Sequence, residues 1–150
     1  MKEVNREDVH DMSPARIRWR AALFHLGNIV CMLAAVGAGT AYYMDGGLLS
    51  MVLSVALVLP TVLWFGISMA LYALFAHDPN SLVSYHTKRA GYIFYGATGG
   101  LVLVLAFLQK VSFFYLLPIP AVVVGLVLLA GTRDLVAIWK ADVASEPTGS

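Results

Sequence analysis

The residues of this sequence best suited to chemistry are three of its four histidines. His25, His77 and His86 fall near ends of apolar segments that would lie on one side of a membrane, which predicts a similar depth for all three. Two imidazoles at one depth are a typical arrangement for binding haem or a metal ion. The sequence has no CxxC motif and no HxxxH pair beside them, and His25 lies one turn before Asn28. Hydrogen bonding across helices is therefore the simpler prediction, with haem as an alternative cofactor.

Two further patterns suggest catalysis or transport. Ser, His and Asp residues occur together over 78–86, but no GxSxG-type elbow accompanies them, so we predict that the protein is not an enzyme. Seven-residue spacing places three hydroxyls on one face of the second apolar segment, namely Ser54, Thr61 and Ser68. In an oligomer this face would line a path for a small solute. In a monomer the hydroxyls would bond their own backbone.

The composition indicates that membrane helices carry these residues. Hydrophobic residues make up 59% of the 150 positions and charged residues 13%, whereas soluble proteins have about 25% charged residues. A membrane span needs about 20 mostly apolar residues, and the qualifying segments are 21–44, 48–76, 91–108 and 113–131. The predicted fold is an all-α integral membrane protein, a four-helix bundle of two antiparallel hairpins, since the turns after spans one and three are short. No Asp, Glu, Lys or Arg lies within these four segments, which argues against ion-coupled transport and proton pumping.

The distribution of positive charge predicts the orientation of the bundle. Every Lys and Arg except Lys110 lies in the leader 1–20, in the loop between spans two and three, or in the tail 132–150. By the positive-inside rule both termini are expected in the cytoplasm, and the short turns and uncleaved first span favour a bacterial inner membrane. The net charge of +1 gives no indication of nucleic-acid binding. The end of the tail is expected to be disordered.

Short interfacial helices are predicted before span one and between spans two and three. Ser13 would cap the first and Pro14 would begin it, and Asp78 would cap the second. Basic and aromatic residues of these segments are expected to contact lipid headgroups. They are Arg16, Arg18, Trp19, Arg20, Lys88 and Arg89.

Small residues predict where the helices pack, because membrane helices associate through close contact of small side chains. The predicted packing positions are Gly27, Cys31, Ala34, Ala38, Ala41, Gly96 and Gly100. The last two form a GxxxG pattern, for which we favour packing within the chain over a homodimer face.

The predicted function follows from the absence of catalytic and coupling residues, together with these small-residue packing positions. We expect a non-enzymatic protein that binds another membrane component, as an accessory or assembly subunit of a membrane complex or as an immunity-type inhibitor. Its expected partners are membrane lipids and another integral membrane protein, or a second copy of the chain. A small channel or facilitator with a hydroxyl-lined second helix is one alternative, and a haem- or quinone-binding redox subunit is the other.

Overall fold

Four helices account for nearly all of the described chain. The computed structural model describes residues 13–45, 47–108 and 118–141, and this part of the chain contains no strand. The helices are α1 (Pro14–Asp45), α2 (Leu48–Phe75), α3 (Ser81–Phe107) and α4 (Pro118–Lys140). The all-α prediction is confirmed. The leader up to residue 12, the start of the predicted fourth span and the tail beyond residue 141 lie outside the described residues.

Helix α1 is the centre of the bundle and contacts each of the other three helices. Helix α2 runs antiparallel to it, because Ser54 Oγ donates to the Ala38 carbonyl at 3.1 Å while Trp64 Nε1 donates to Asn28 Oδ1 at 2.9 Å. The chain turns back within two residues after Asp45, which leaves α1 and α2 no other arrangement.

Helices α3 and α4 complete the bundle on other sides of α1. Helix α3 runs parallel to α1, and Asn28 Nδ2 donates to the Ala90 carbonyl at 3.2 Å. Helix α4 is antiparallel to α1, with Arg18 Nη2 donating to the Ala141 carbonyl at 2.9 Å. The beginnings of α1 and α3 therefore meet the ends of α2 and α4. We call this region, where the charged residues gather, the polar end of the bundle.

Two groups of buried side chains fix the contacts of α1. The group at the polar end comprises Ile17, Ala21, Ala22, Val83 and Ile138. The group farther along the bundle comprises Cys31, Met32, Phe94 and Val127. Helix α2 contributes little to either group, and most of its large apolar side chains are exposed. A surface of this kind is stable against lipid rather than water.

Three of the four helices are long and apolar enough to cross a membrane. They are α1 over Pro14–Ala41, α2 over Leu48–Phe75 and α4 over Pro118–Lys140. The predicted second span, 48–76, matches α2 almost to the residue. The predicted third span, 91–108, lies in the second half of α3, and its crossing of the membrane stays a prediction.

The prediction of separate interfacial helices before span one and after span two is wrong. The first is part of α1, which starts at Pro14 as predicted and continues without a break. The second is the first part of α3, and its N-cap is Asn80 rather than Asp78, since Asn80 Oδ1 accepts from the Leu82 and Val83 amides at 3.1 and 3.3 Å. The helix continues because Val83 and Ala90 bury against α1, so no interfacial break forms.

The last helix extends beyond the predicted end of span four at residue 131, and the boundary between that span and the tail stays a prediction. Helix α4 continues past residue 131 to Lys140, and Asp134 and Ile138 are buried on its inner face. The candidate span 118–140 therefore includes a buried carboxylate, Asp134, which lies outside the predicted span 113–131. That carboxylate finds partners on two other helices, which offsets the cost of burying it.

Candidate functional site, a buried polar cluster between three helices

The polar end of the bundle contains a cluster formed by His25, His86, Arg89 and Asp134. His25 comes from α1, His86 and Arg89 lie one turn apart on α3, and Asp134 lies on α4. Residues one turn apart on a helix share a face, so α3 presents both of its side chains toward α1 and α4. The helices place these residues side by side although their sequence positions are far apart.

The Asp134 carboxylate is the centre of the cluster. Its Oδ2 accepts a hydrogen bond from Arg89 Nε at 2.7 Å, and His25 Nε2 lies 3.7 Å from the same oxygen. The His25 and His86 rings are 5.8 Å apart between centroids and inclined by 71°. His25, His86 and Asp134 are only 1%, 6% and 5% exposed, so the cluster is closed to solvent at these three residues.

Two ring nitrogens in the cluster have no hydrogen-bond partner among the described residues. They are His25 Nε2 and His86 Nδ1. Burial disfavours the imidazolium and lowers the pKa of His86, which precedes the apolar segment 91–108, more than the nearby Asp134 carboxylate raises it. Burial therefore favours the neutral His86 imidazole, in which one ring nitrogen carries a lone pair.

The cluster has the donor set of a metal site. One nitrogen from each of His25 and His86 and one carboxylate oxygen of Asp134 all lie within 4.8 Å of one another. Two imidazoles and a carboxylate suit first-row transition ions. A porphyrin would have to pass between the two imidazoles, which are in direct edge-to-face contact, so the geometry suits a single ion better than haem.

A second polar layer lies next to the cluster and joins α1 to α2 and α3. Asn28 accepts from Trp64 Nε1 and donates to the Ala90 carbonyl. Farther along α2, Ser68 and the Tyr95 hydroxyl are 2.9 Å apart. These bonds use side chains from three helices, so they fix the register in which the helices meet.

The loop between α2 and α3 is held to α1 by an ion pair. Arg20 Nη2 lies 2.6 Å from Asp78 Oδ2, whose side chain is almost fully buried. Asp78 Oδ1 also accepts from the Asn80 amide at 3.0 Å. The Arg20 guanidinium lies 4.9 Å from the centroid of the Phe75 ring, a cation–π distance. The loop is thus a structural junction of the bundle.

The histidines predicted to lie together divide into two sets. His25 and His86 do meet, whereas His77 is exposed on the loop and is not part of the cluster. Asp134 and its bond to Arg89 were missed, because the sequence interpretation placed Asp134 in a cytoplasmic tail. The sequence did contain one indication of this site. Asp134 lies four residues before Ile138, so in a continued helix the two side chains share a face.

The predicted hydroxyl face of α2 is occupied by bonds within the chain. Ser54 Oγ donates to the carbonyls of Ala38 and Ser50, and Thr61 Oγ1 to its own helix at Leu57. Ser68 is fully buried against Tyr95. The arrangement in this single chain is the one expected for hydroxyls that bond backbone and neighbouring helices, and an oligomeric solute path stays a prediction.

The predicted small-residue packing positions on α1 are partly buried in helix contacts. Cys31 and Ala38 are buried, Ala34 and Ala41 are half-buried, and Gly27 lies directly under the Trp64 ring. A side chain at Gly27 would overlap that ring, so the close approach of α1 and α2 depends on this glycine.

The GxxxG pair of α3 does not pack within the described chain. Gly96 and Gly100 are exposed, and a Cβ atom built on either, or on the neighbouring Gly99, would meet nothing within 4 Å. The described residues thus give no support for intramolecular packing of this pair, and the preference for it stays a prediction. Helix α3 uses a different face, with Phe94 and Ala90, to contact α1.

Several residues expected at the lipid headgroups also have partners inside the bundle, and their contact with headgroups stays a prediction. Arg20 pairs with Asp78 and Arg89 with Asp134. Arg18 donates to the end of α4. Trp19 is largely exposed, with its ring edge-on to Trp139 at 5.7 Å. Arg16 is exposed and Lys88 half-buried, and their contact with headgroups stays a prediction.

The opposite half of the bundle is more open. A cavity of about 710 Å³ is lined by residues of all four helices, with Thr40, Thr61 and Thr98 among them. Each of these hydroxyls donates to a carbonyl of its own helix. The cavity therefore offers mainly apolar surface, which suits an acyl chain or apolar side chains. The chain matches no protein-family model, no curated protein and no solved structure.

Proposed function

We propose that this chain is a non-enzymatic membrane protein that works by binding another integral membrane protein, as an accessory or assembly subunit. The exposed glycine face of α3, formed by Gly96, Gly99 and Gly100, carries the proposal. Among the described residues, no atom lies within 4 Å of a Cβ atom built on any of these three glycines. Small residues on a membrane helix let a second helix approach closely enough for backbone contact, and in this chain no described helix takes that place.

The charge beside the glycine face favours a different protein over a second copy as partner. Lys88, Tyr92 and Gly96 are spaced by four residues and so share a face of α3. Tyr92 is 70% exposed, and Lys88 has no ion pair among the described residues. A parallel homodimer would bring two Lys88 ammonium groups to the same level. A partner helix with an acidic residue at that level would pair with Lys88 instead.

The membrane setting of this proposal rests on the sequence. We place both termini in the cytoplasm of a bacterium and α3 across its inner membrane as a fourth span, supported by the Lys and Arg distribution. The exposed apolar side chains of α2 would then face lipid. An immunity-type inhibitor would use the same surface, with the target protein as its partner.

Site-specific photo-crosslinking in the native membrane tests the proposal. A benzophenone side chain replacing Tyr92 is expected to give one adduct of defined mass with a second membrane protein. The same probe replacing Val122, which is exposed on α4, is the control for contacts of lipid-facing positions in general. No adduct at Tyr92, or the same adducts at both positions, would contradict the proposal.

Leucine substitutions supply the second arm of this test. Gly96→Leu and Gly100→Leu are expected to abolish the Tyr92 adduct without unfolding the chain, because a Cβ atom at either position meets no described residue within 4 Å. Gly66→Leu and Gly125→Leu are matched controls, since both glycines are exposed with no neighbour within 4 Å. An adduct that persists in the Gly96→Leu, Gly100→Leu double variant would show that the glycine face is not the interface.

A further inference from the structure

Two buried imidazoles with unused nitrogens are the feature of this structure that the proposed function leaves unexplained. His25 Nε2 and His86 Nδ1 have no hydrogen-bond partner among the described residues, although both residues are more than nine-tenths buried. Buried polar atoms nearly always have a partner in the protein, a water molecule or an ion. Asp134 lies beside both rings and supplies a third donor of the kind that metal ions use.

We propose that His25, His86 and Asp134 bind one transition-metal ion, with Zn²⁺ as the representative case. The proposal concerns the interior of the bundle and does not depend on the partner-binding role of α3. Ligand atoms around a tetrahedral zinc ion lie about 3.3 Å apart, given Zn–N and Zn–O distances near 2.1 Å. The three donors here lie within 4.8 Å of one another, so side-chain movements of about an ångström would bring them onto the ion.

The surroundings of the three donors favour a site of this kind. The His25 and His86 rings are in edge-to-face contact, and Arg89 Nε holds Asp134 Oδ2 at 2.7 Å. Contacts of this sort orient metal-ligating imidazoles and carboxylates. With three protein ligands, the fourth position of a tetrahedral ion remains for water or a group from another molecule.

The charge of the cluster determines which ions it selects. Ca²⁺ and Mg²⁺ bind chiefly through several anionic or carbonyl oxygens. Here the single carboxylate already forms an ion pair with Arg89, so little net negative charge is left for a hard cation. Affinity must then come from the imidazole nitrogens, which prefer Zn²⁺, Co²⁺, Ni²⁺ and Cu²⁺.

Binding would join three helices of the bundle. The ligands come from α1, α3 and α4. An ion bound to all three would add to the Arg89–Asp134 ion pair, the hydrogen bonds of Asn28 and Arg18 and the apolar packing that already join these helices. A ligand that binds only the folded state raises its stability. The melting temperature of the protein in detergent is therefore expected to rise with Zn²⁺ and not with Mg²⁺.

A metal-binding measurement with a histidine-reduced chain tests the proposal. The chain has four histidines, so the His10→Ala, His77→Ala double variant retains only His25 and His86. The full chain, purified in mild detergent without a histidine tag, is stripped with a chelator, equilibrated with Zn²⁺ and desalted. Elemental analysis is expected to find about one Zn²⁺ per chain in both the parent and the double variant, as for a single four-coordinate site.

Further substitution in that background identifies the ligands. His25→Ala or His86→Ala is expected to remove the bound Zn²⁺, and Asp134→Asn, which keeps a side chain of the same shape, to weaken it at least tenfold. Circular dichroism and gel filtration check that each variant remains folded. Millimolar Mg²⁺ or Ca²⁺ is expected to leave the bound Zn²⁺ in place.

A spectroscopic readout keeps the proposal testable even if the alanine variants fail to fold. Co²⁺ added to the stripped His10→Ala, His77→Ala protein is expected to give the visible d–d bands of a nitrogen- and oxygen-bound ion. Absence of these bands, or of retained Zn²⁺, in this folded protein would overturn the proposal. Retention of Zn²⁺ after His86→Ala, or its displacement by Mg²⁺, would overturn it equally.

Discussion

Gly27→Ala is the smallest change that tests the packing of α1 against α2. A Cβ atom at this position would overlap the six-membered part of the Trp64 ring. The ring cannot turn aside freely, because Trp64 Nε1 is bonded to Asn28 Oδ1 and the ring lies edge-on to Phe24 at 6.0 Å. One methyl group therefore forces either the two helices apart or the ring out of its position.

The expected magnitude combines three effects. Overpacking a closely packed contact costs about 1–3 kcal/mol, and losing the hydrogen bond between Trp64 and Asn28 costs about 1 kcal/mol more. Replacing a helical glycine by alanine returns up to about 1 kcal/mol through helix propensity. We therefore expect Gly27→Ala to lower the free energy of unfolding by about 1–3 kcal/mol.

Reversible unfolding of the purified chain in mixed detergent measures this loss. Gly66→Ala on α2 is the matched control, since its Cβ atom would meet nothing within 4 Å, and it is expected to leave stability unchanged or slightly raised. The two substitutions are chemically identical, so the difference between them isolates the contact with Trp64. If Gly27→Ala is as stable as Gly66→Ala, the described packing of α1 on α2 is refuted.

Three further substitutions test other contacts of the bundle. Asp78→Ala removes the carboxylate that pairs with Arg20, whose side chain is 33% exposed and can rehydrate. Thermal unfolding should therefore show the free energy of unfolding lowered by about 1–2 kcal/mol, and an unchanged value would contradict the structural role of this ion pair. Ser68→Ala and Tyr95→Phe break the same hydrogen bond, and a double-mutant cycle should give a coupling near 1 kcal/mol, whereas additive effects would argue against it. Gly131→Leu would push a side chain into α1, and unchanged stability would show that α4 does not pack there.

The helices were predictable where apolar length alone defines them. Segment 48–76 was identified almost to the residue as α2, because that helix is apolar throughout its length. The start of α3 and the end of α4 were misplaced, because each helix continues through polar residues that find partners in the bundle. His86, Arg89 and Asp134 are such residues. The local sequence around them does not predict the bond from Arg89 to Asp134 or the contact of His86 with His25.

The candidate site was predictable only in part for the same reason. The similar depth of His25 and His86 followed from their positions near segment ends, and the structure brings the two rings together. The bond from Arg89 to Asp134 joins residues 45 positions apart, and it depends on the side of α1 on which α3 and α4 lie. Hydropathy gives the number of helices but not their arrangement, so the third member of the cluster appears only in the folded chain.

A native mass spectrum tests the proposal of partner binding most directly. The full chain would be expressed near its native level and extracted in mild detergent, next to the Gly96→Leu, Gly100→Leu double variant. We expect the parent chain to carry one additional polypeptide at a fixed ratio and the double variant to have lost it. A bare monomer of the parent chain, or a homo-oligomer, or the same complex in both proteins, would contradict the account.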